Sequence, residues 1–100
     1  MHSNNEIGTL QPISELVALA GDIPVHTDAV QSLGKVPLNF AKLGVTSMAI
    51  SGHKVGGPLG VGALILRRGI DITPILHGGG QERDIRSGTL NAPEIGRAHV

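Results

Sequence analysis

A chain of 100 residues is long enough for one small domain or for part of a larger one. Its formal charge is zero and its acidic and basic residues are interspersed, which argues against a nucleic-acid footprint or a polybasic membrane anchor. No apolar run approaches the roughly 20 residues that cross a bilayer, and the absence of cysteine excludes disulfides, thiolate metal sites and thiol catalysis from within the chain.

The first residues, Met1-His2-Ser3-Asn4-Asn5-Glu6, have neither a basic nor an apolar signal region, so a cytoplasmic location is expected. They read as a polar loop that runs to Thr9. Pro12 suits a first helical position, and Ile13, Leu16, Val17 and Ala20 follow a helical period that Gly21 stops. Ile23 to Thr27 is short and β-branched, and predicts a strand with Asp28 at its carboxyl end. Val30 to Lys35 is a turn or short connection. Leu38 to Leu43 predicts one helical turn closed by Gly44, and Val45 to Ile50 a second strand. The stretch Ser51-Gly52-His53-Lys54-Val55-Gly56-Gly57-Pro58-Leu59-Gly60-Val61 then leads into a third strand, Gly62 to Leu66, capped by Arg67-Arg68. Thr73 to Leu76 is a weaker strand, His77 to Arg83 a second glycine loop and Arg86 to Thr89 a polar turn. Asn91-Ala92-Pro93-Glu94 starts a helix. Strands alternating with helical segments predict an α/β sheet, whose ligand sites lie at strand carboxyl ends.

Phe40 is the only aromatic residue, and a core of Val, Ile, Leu and Ala would be thin for a free-standing domain. Most of the 15 glycines follow residue 51, where they point to backbone shaped for a site. The chain reads as an internal piece of a larger protein.

Lys54 follows an apolar strand, where lysine is out of place unless its amine reaches solvent or does chemistry. A lysine that forms a Schiff base needs partial burial or nearby cations. If the segment is extended, Ser51 and His53 share one side and Lys54 faces the other. Asp28 is either a turn cap or an acid for a ligand's ring nitrogen. Gln31, three residues on, is either a turn residue or a neighbour of Asp28 in the same cavity. Asn4 and Asn5 are loop asparagines or ligand donors, and His26 a satisfied half-buried histidine. The five histidines lack metal-ligand spacing. The glycine loops could bind anions through their N–H groups but match neither the phosphate-loop nor the dinucleotide fingerprint. Arg83, Arg86 and Thr89 could hold a phosphate or carboxylate. Together Asp28, Gln31, Ser51, His53 and Lys54 offer what pyridoxal 5'-phosphate needs: a ring-nitrogen acid, a phenolic-oxygen donor, two phosphate donors and a Schiff-base amine.

Asn4-Asn5-Glu6-Ile7-Gly8, His26-Thr27-Asp28-Ala29-Val30-Gln31-Ser32-Leu33-Gly34-Lys35, Ser51-Gly52-His53-Lys54 with Gly57-Pro58 and Gly60-Val61-Gly62, Gly78-Gly79-Gly80-Gln81-Glu82 and Arg86-Ser87-Gly88-Thr89 occur in this order. In them the chain resembles the cysteine desulfurases among the class V aminotransferase-like, fold-type I pyridoxal-phosphate enzymes. The resemblance covers residues 1 to about 93 and implies part of a large cofactor-binding domain, a mostly parallel sheet with flanking helices. By the resemblance Lys54 carries the Schiff base, Asp28 pairs with the pyridine nitrogen, Gln31 bonds the phenolic oxygen, Ser51 and His53 bind the phosphate, and Asn5 contacts cofactor or substrate. Thr89 reaches the phosphate site of the partner subunit in a homodimer. The implied reaction turns L-cysteine into L-alanine and passes sulfur as a persulfide to scaffold or acceptor proteins for iron–sulfur cluster assembly.

Selenocysteine lyase, another class V enzyme, or a non-catalytic fragment are the alternatives. The family's catalytic cysteine loop and substrate-carboxylate arginine have no counterpart here, so this stretch alone is expected to be inactive. Glu94 to Val100 is what a common sequencing-adapter sequence would encode in one frame, and is expected to be a non-native tail.

Overall fold

The computed structural model describes residues 1–98; His99 and Val100, the end of the expected tail, lie outside the described residues. The elements are α1 (Ile13–Ala20), β1 (His26–Asp28), α2 (Phe40–Leu43), β2 (Ser47–Ser51), a 3-10 turn (Gly52–Val55), β3 (Gly62–Leu66) and α3 (Ala92–Arg97). The strands form one sheet in the order β1-β2-β3. β1 runs parallel to β2, with Asp28 opposite Ala49, and β3 runs antiparallel to β2, with Gly62 opposite Ser51. The α/β class expected from the sequence is present. The described sheet is mixed, where the resemblance implied a mostly parallel one.

Alternation along the strands divides the sheet into two faces. Thr27, Met48, Ile50 and Ile65 share the face that packs on α1 and α2; Ile13, Ala29, Val45 and Met48 are its buried apolar centre, and Val17, Leu38, Phe40 and Leu43 close round them. His26, Asp28, Ala49, Ser51 and Leu64 share the other face, and Leu64 is half exposed there. Among the described residues four buried apolar side chains make a thin core, in keeping with the lack of aromatics.

Local chemistry explains where the elements start and stop. α1 begins one residue later than the proline rule suggested, at Ile13: Pro12 precedes the first helical residue and its carbonyl accepts from Leu16 N at 3.1 Å. α2 is capped at both ends. Asn39 Oδ1 accepts from Lys42 N at 2.9 Å, and Gly44, at φ 73°, donates its N–H to Phe40 O. The first strand is shorter than the apolar run Ile23 to Thr27. Ile23 is 70% exposed and its N–H bonds back to Ala20 O, while Pro24 has no N–H to give a ladder. Pairing begins at Val25, whose N–H donates to Thr46 Oγ1 and whose carbonyl accepts from Thr46 N. The strand expected over Thr73 to Leu76 does not form, because Pro74 interrupts it; a single bridge between Leu76 and Arg86 remains. No helix of the described residues is long and apolar enough to cross a membrane.

Candidate active site

Parallel pairing of β1 and β2 brings their carboxyl ends to one edge of the sheet. Asp28 ends β1 and Ser51 ends β2, two residues beyond Asp28's partner Ala49. Ala29 N donates to Ala49 O at 2.9 Å and carries the alignment into the turn that holds Gln31. The 3-10 turn with His53 and Lys54 leaves β2 at this edge. Gly34 lies against it: a Cβ there would come within 3.0 Å of Val55 Cγ1. Asp28, Gln31, Ser51, His53 and Lys54 are therefore gathered on one rim, as the ligand rule for open α/β sheets requires.

Asp28 is exposed, and its Oδ1 accepts from Val30 N at 2.8 Å. One carboxylate oxygen thus makes the turn, and among the described residues the other takes no bond. The two readings of Asp28, cap and ligand acid, are compatible because they use different oxygens. Gln31 Oε1 accepts from Lys35 Nζ at 3.1 Å, one helical turn along. An ammonium only donates, so it takes the oxygen end of the amide and leaves the NH₂ end to donate elsewhere.

The opening after β2 is not extended. Gly52–Val55 coils, with Gly57 N bonded to Gly52 O at 2.9 Å, so the alternation assumed for Ser51, His53 and Lys54 fails. Ser51 and His53 nevertheless meet, Oγ to Nδ1 at 2.7 Å, and Lys54 is exposed with its amine accessible. Glycine is needed where the loop returns. A Cβ on Gly57 would lie 2.9 Å from Gly52 O, and one on Gly62 2.8 Å from Ile50 O.

In the first loop Asn4 makes the turn, its Oδ1 accepting from Glu6 N and Ile7 N, while Asn5 is exposed beside it. His26 is exposed rather than half-buried; its Nδ1 meets Ser47 Oγ at 2.8 Å because the register puts the two residues opposite each other. Thr89 is exposed on a turn sewn to the second glycine loop: Gly88 N donates to Gln81 Oε1 at 2.9 Å and Gly80 N to Ser87 Oγ at 3.3 Å. The Gly57 and Gly80 amides are thus engaged within the chain rather than left for an anion. Arg86 donates to Ser87 O, and Arg83 is exposed.

Sequence reasoning missed a buried group behind the rim. His2 Nδ1 lies 2.7 Å from Ser32 Oγ, which Ser3 Oγ also meets, and His2 N donates to Asp28 O at 2.7 Å. The spacing of 30 residues gives no local signal. The Gln31–Lys35 contact was findable from its i, i+4 spacing.

The class-V aminotransferase family model matches residues 1–96. The chain belongs to the class-V aminotransferase family. It is 52% identical over 100 residues to the IscS-like cysteine desulfurase of Mycobacterium tuberculosis, covering 98% of this chain and 25% of the relative. It is 50% identical over 97 residues to the cysteine desulfurase NifS of Azotobacter vinelandii, covering 95% and 24%. Among solved structures, a NifS-like protein superposes with a TM-score of 0.92 at 46% identity, covering 98% of this chain and 28% of that one. SspA in complex with cysteine superposes with a TM-score of 0.90 at 44% identity, covering 97% and 29%. The chain spans about a quarter of the length of the curated relatives it matches. Enzymes of this family depend on pyridoxal 5'-phosphate, and the donors on the rim fit that group. A carboxylate with a free oxygen, an amide with a free NH₂, a hydroxyl, an imidazole and an accessible amine stand at one edge.

Proposed function

We propose that this chain is the cofactor-binding core of a pyridoxal-phosphate-dependent cysteine desulfurase, which converts L-cysteine to L-alanine. The observation that carries the reading is the parallel register of β1 and β2, which puts Asp28 and the Ser51–Lys54 turn on one sheet edge. Roughly 50% identity to named cysteine desulfurases supports this activity over other class-V reactions.

Asp28 would face the pyridine nitrogen with the carboxylate oxygen that Val30 N leaves free, its negative charge keeping that nitrogen protonated. Gln31 would donate its NH₂ to the phenolic oxygen, the amide's other end being taken by Lys35. Ser51 and His53 would hold the phosphate, and Asn5 would contact cofactor or substrate. Lys54 would bind the cofactor's aldehyde carbon and afterwards carry protons to and from the substrate. When bound, pyridoxal phosphate supplies the electron sink that lets bonds at the substrate's Cα and Cβ break. This chain has no cysteine, so the thiolate that attacks the substrate sulfur comes from elsewhere in the parent enzyme. That thiolate forms the new S–S bond as the substrate's C–S bond breaks, and the resulting persulfide passes its sulfur to acceptor or scaffold proteins of iron–sulfur assembly. The resemblance further supports a homodimer in which Thr89 serves the partner subunit's phosphate site, and the lack of a signal region in Met1 to Glu6 is the support for a cytoplasmic location.

Lys54→Ala in the full-length parent tests the reading. It should abolish covalent retention of pyridoxal phosphate, followed by absorption after gel filtration, and lower alanine production from cysteine by on the order of 10³-fold or more. Retained covalent cofactor in that variant would sink the assignment. Turnover confined to selenocysteine would favour the lyase alternative.

A further inference from the structure

We propose that His2 is a positioning residue for the cofactor rim, acting through Ser32 on the turn that carries Asp28 and Gln31. The inference rests on the cofactor reading above and adds to it a side chain that no part of that reading uses.

His2 is 8% exposed and Ser32 fully buried. The imidazole Nδ1 meets Ser32 Oγ at 2.7 Å, and Ser3 Oγ meets the same oxygen. Both backbone groups of His2 are committed as well. Its N–H donates to Asp28 O at 2.7 Å, and its carbonyl accepts from Gln11 N at 2.9 Å. Ser32 is the hub of the turn beyond Asp28: its N–H donates to Ala29 O at 2.9 Å, and its carbonyl accepts from Lys35 N and Val36 N at 3.0 and 3.1 Å. Gln31 is its immediate neighbour. His2 and Ser3 lead directly into the Asn4-Asn5 loop. One imidazole and two hydroxyls therefore fasten that loop to the turn, and so fix Asn5, Asp28 and Gln31 relative to one another.

Hydrogen counting shows that the contacts among His2 Nδ1, Ser32 Oγ and Ser3 Oγ are mutually compatible in either tautomer. With the proton on Nδ1, His2 donates to Ser32, and Ser32 donates to Ser3. With the proton on Nε2, Ser32 donates to Nδ1 and accepts from Ser3. An apolar residue of similar bulk could fill the space of the imidazole, but it would leave Ser32 with Ser3 alone at a buried site. Unmet bonds there are costly, and the turn can recover them only by rotating Ser32 and its neighbours. A packing role and a positioning role thus predict different substitutions to be tolerated. Asn can present a polar atom near the place of Nδ1 with less bulk; Leu keeps bulk with no polar atom.

The experiment uses the full-length parent enzyme, stripped of cofactor and titrated with pyridoxal 5'-phosphate, with affinity and the absorption maximum of the bound cofactor as readouts. His2→Leu and Ser32→Ala should each weaken cofactor binding by about tenfold and shift the absorption maximum, while His2→Asn stays within about twofold of wild type. The His2→Leu, Ser32→Ala double variant should lose little more than either single one, because the two residues share one path. Wild-type affinity and spectrum in His2→Leu would overturn the inference, as would fully additive losses in the double variant. If His2→Leu does not fold, Ser32→Ala and His2→Asn decide by the same criteria. Failure of the wild-type parent to bind pyridoxal phosphate would instead overturn the function proposed above.

Discussion

Residues 1–48 and residues 49–98 are built on different principles. The first part holds all four buried apolar side chains, Ile13, Ala29, Val45 and Met48, and four of the five buried polar ones, His2, Thr27, Ser32 and Thr46; the second holds only Ser87. In the first part loops are tied down by buried side chains, as His2 and Ser3 tie the first loop to Ser32. In the second the ties end on glycine amides: Gly57 N bonds Gly52 O, Gly88 N bonds the Gln81 side chain, and Gly80 N bonds the one buried side chain there, Ser87. Both parts keep apolar groups in the open, with Leu19 at 85% exposure in the first and Ile75 at 88% in the second, so the contrast lies in what is buried. The rim is assembled from a core-bearing half, which supplies Asp28 and Gln31, and a dependent half with one buried side chain, which supplies Ser51, His53 and Lys54. Substitutions in the two halves should therefore fail in different ways in the full-length parent.

The sharpest contrast comes from Asp28→Asn. Asn keeps an oxygen for Val30 N, so the turn survives, but it removes the negative charge. Cysteine turnover should fall by on the order of 10²-fold with the melting temperature nearly unchanged. A variant that loses stability and activity together would place Asp28 in the framework instead. Gly57→Ala should fail in the opposite way. Its new Cβ would lie 2.9 Å from the Gly52 carbonyl, and the loop must shift to admit it. The expected cost is about 1–3 kcal/mol in denaturant unfolding, with a displaced Lys54. Gly56→Ala is the control. It meets nothing within 4 Å, so only its positive φ of 82° opposes the methyl group, at about 1 kcal/mol. Equal costs for the two would mean that close approach does not shape the loop.

The same division explains what could be read from the sequence. α1, α2 and β3 were legible because their periodicity and their stops at Gly21, Gly44 and Arg67 are local. The rim was legible as a set of residue types, since an acid, an amide, a hydroxyl, an imidazole and a lysine at strand ends suit one kind of ligand. The first strand was overextended because hydrophobicity at Ile23 says nothing of the missing N–H on Pro24 being decisive. Whether the stretch after Ser51 is extended or coiled was open in the sequence, because its closure depends on Gly57 meeting Gly52 O, a contact between two residues without side chains. The His2–Ser32 knot was invisible because it joins residues 30 positions apart and neither has a distinctive neighbourhood.

The smallest effect is expected in the second glycine loop, and it tests the dependent half most directly. Glu82, Arg83 and Asp84 all have positive φ, at 48°, 59° and 62°, a conformation that few residues other than glycine adopt. All three are exposed, so packing within this chain does not repay the cost. Replacing Arg83 by glycine should relieve about 1 kcal/mol of backbone strain and add about 0.5–1 kcal/mol of unfolded-state entropy. The two nearly cancel, so Arg83→Gly should change the unfolding free energy of the parent by no more than about 0.5 kcal/mol. A loss well above that would show that the Arg83 side chain is held by a surface outside this stretch, and that the left-handed turn serves to present it. The loop would then belong with the supported half of the molecule, and the division drawn between the two halves would have to move from residue 48 to beyond residue 84.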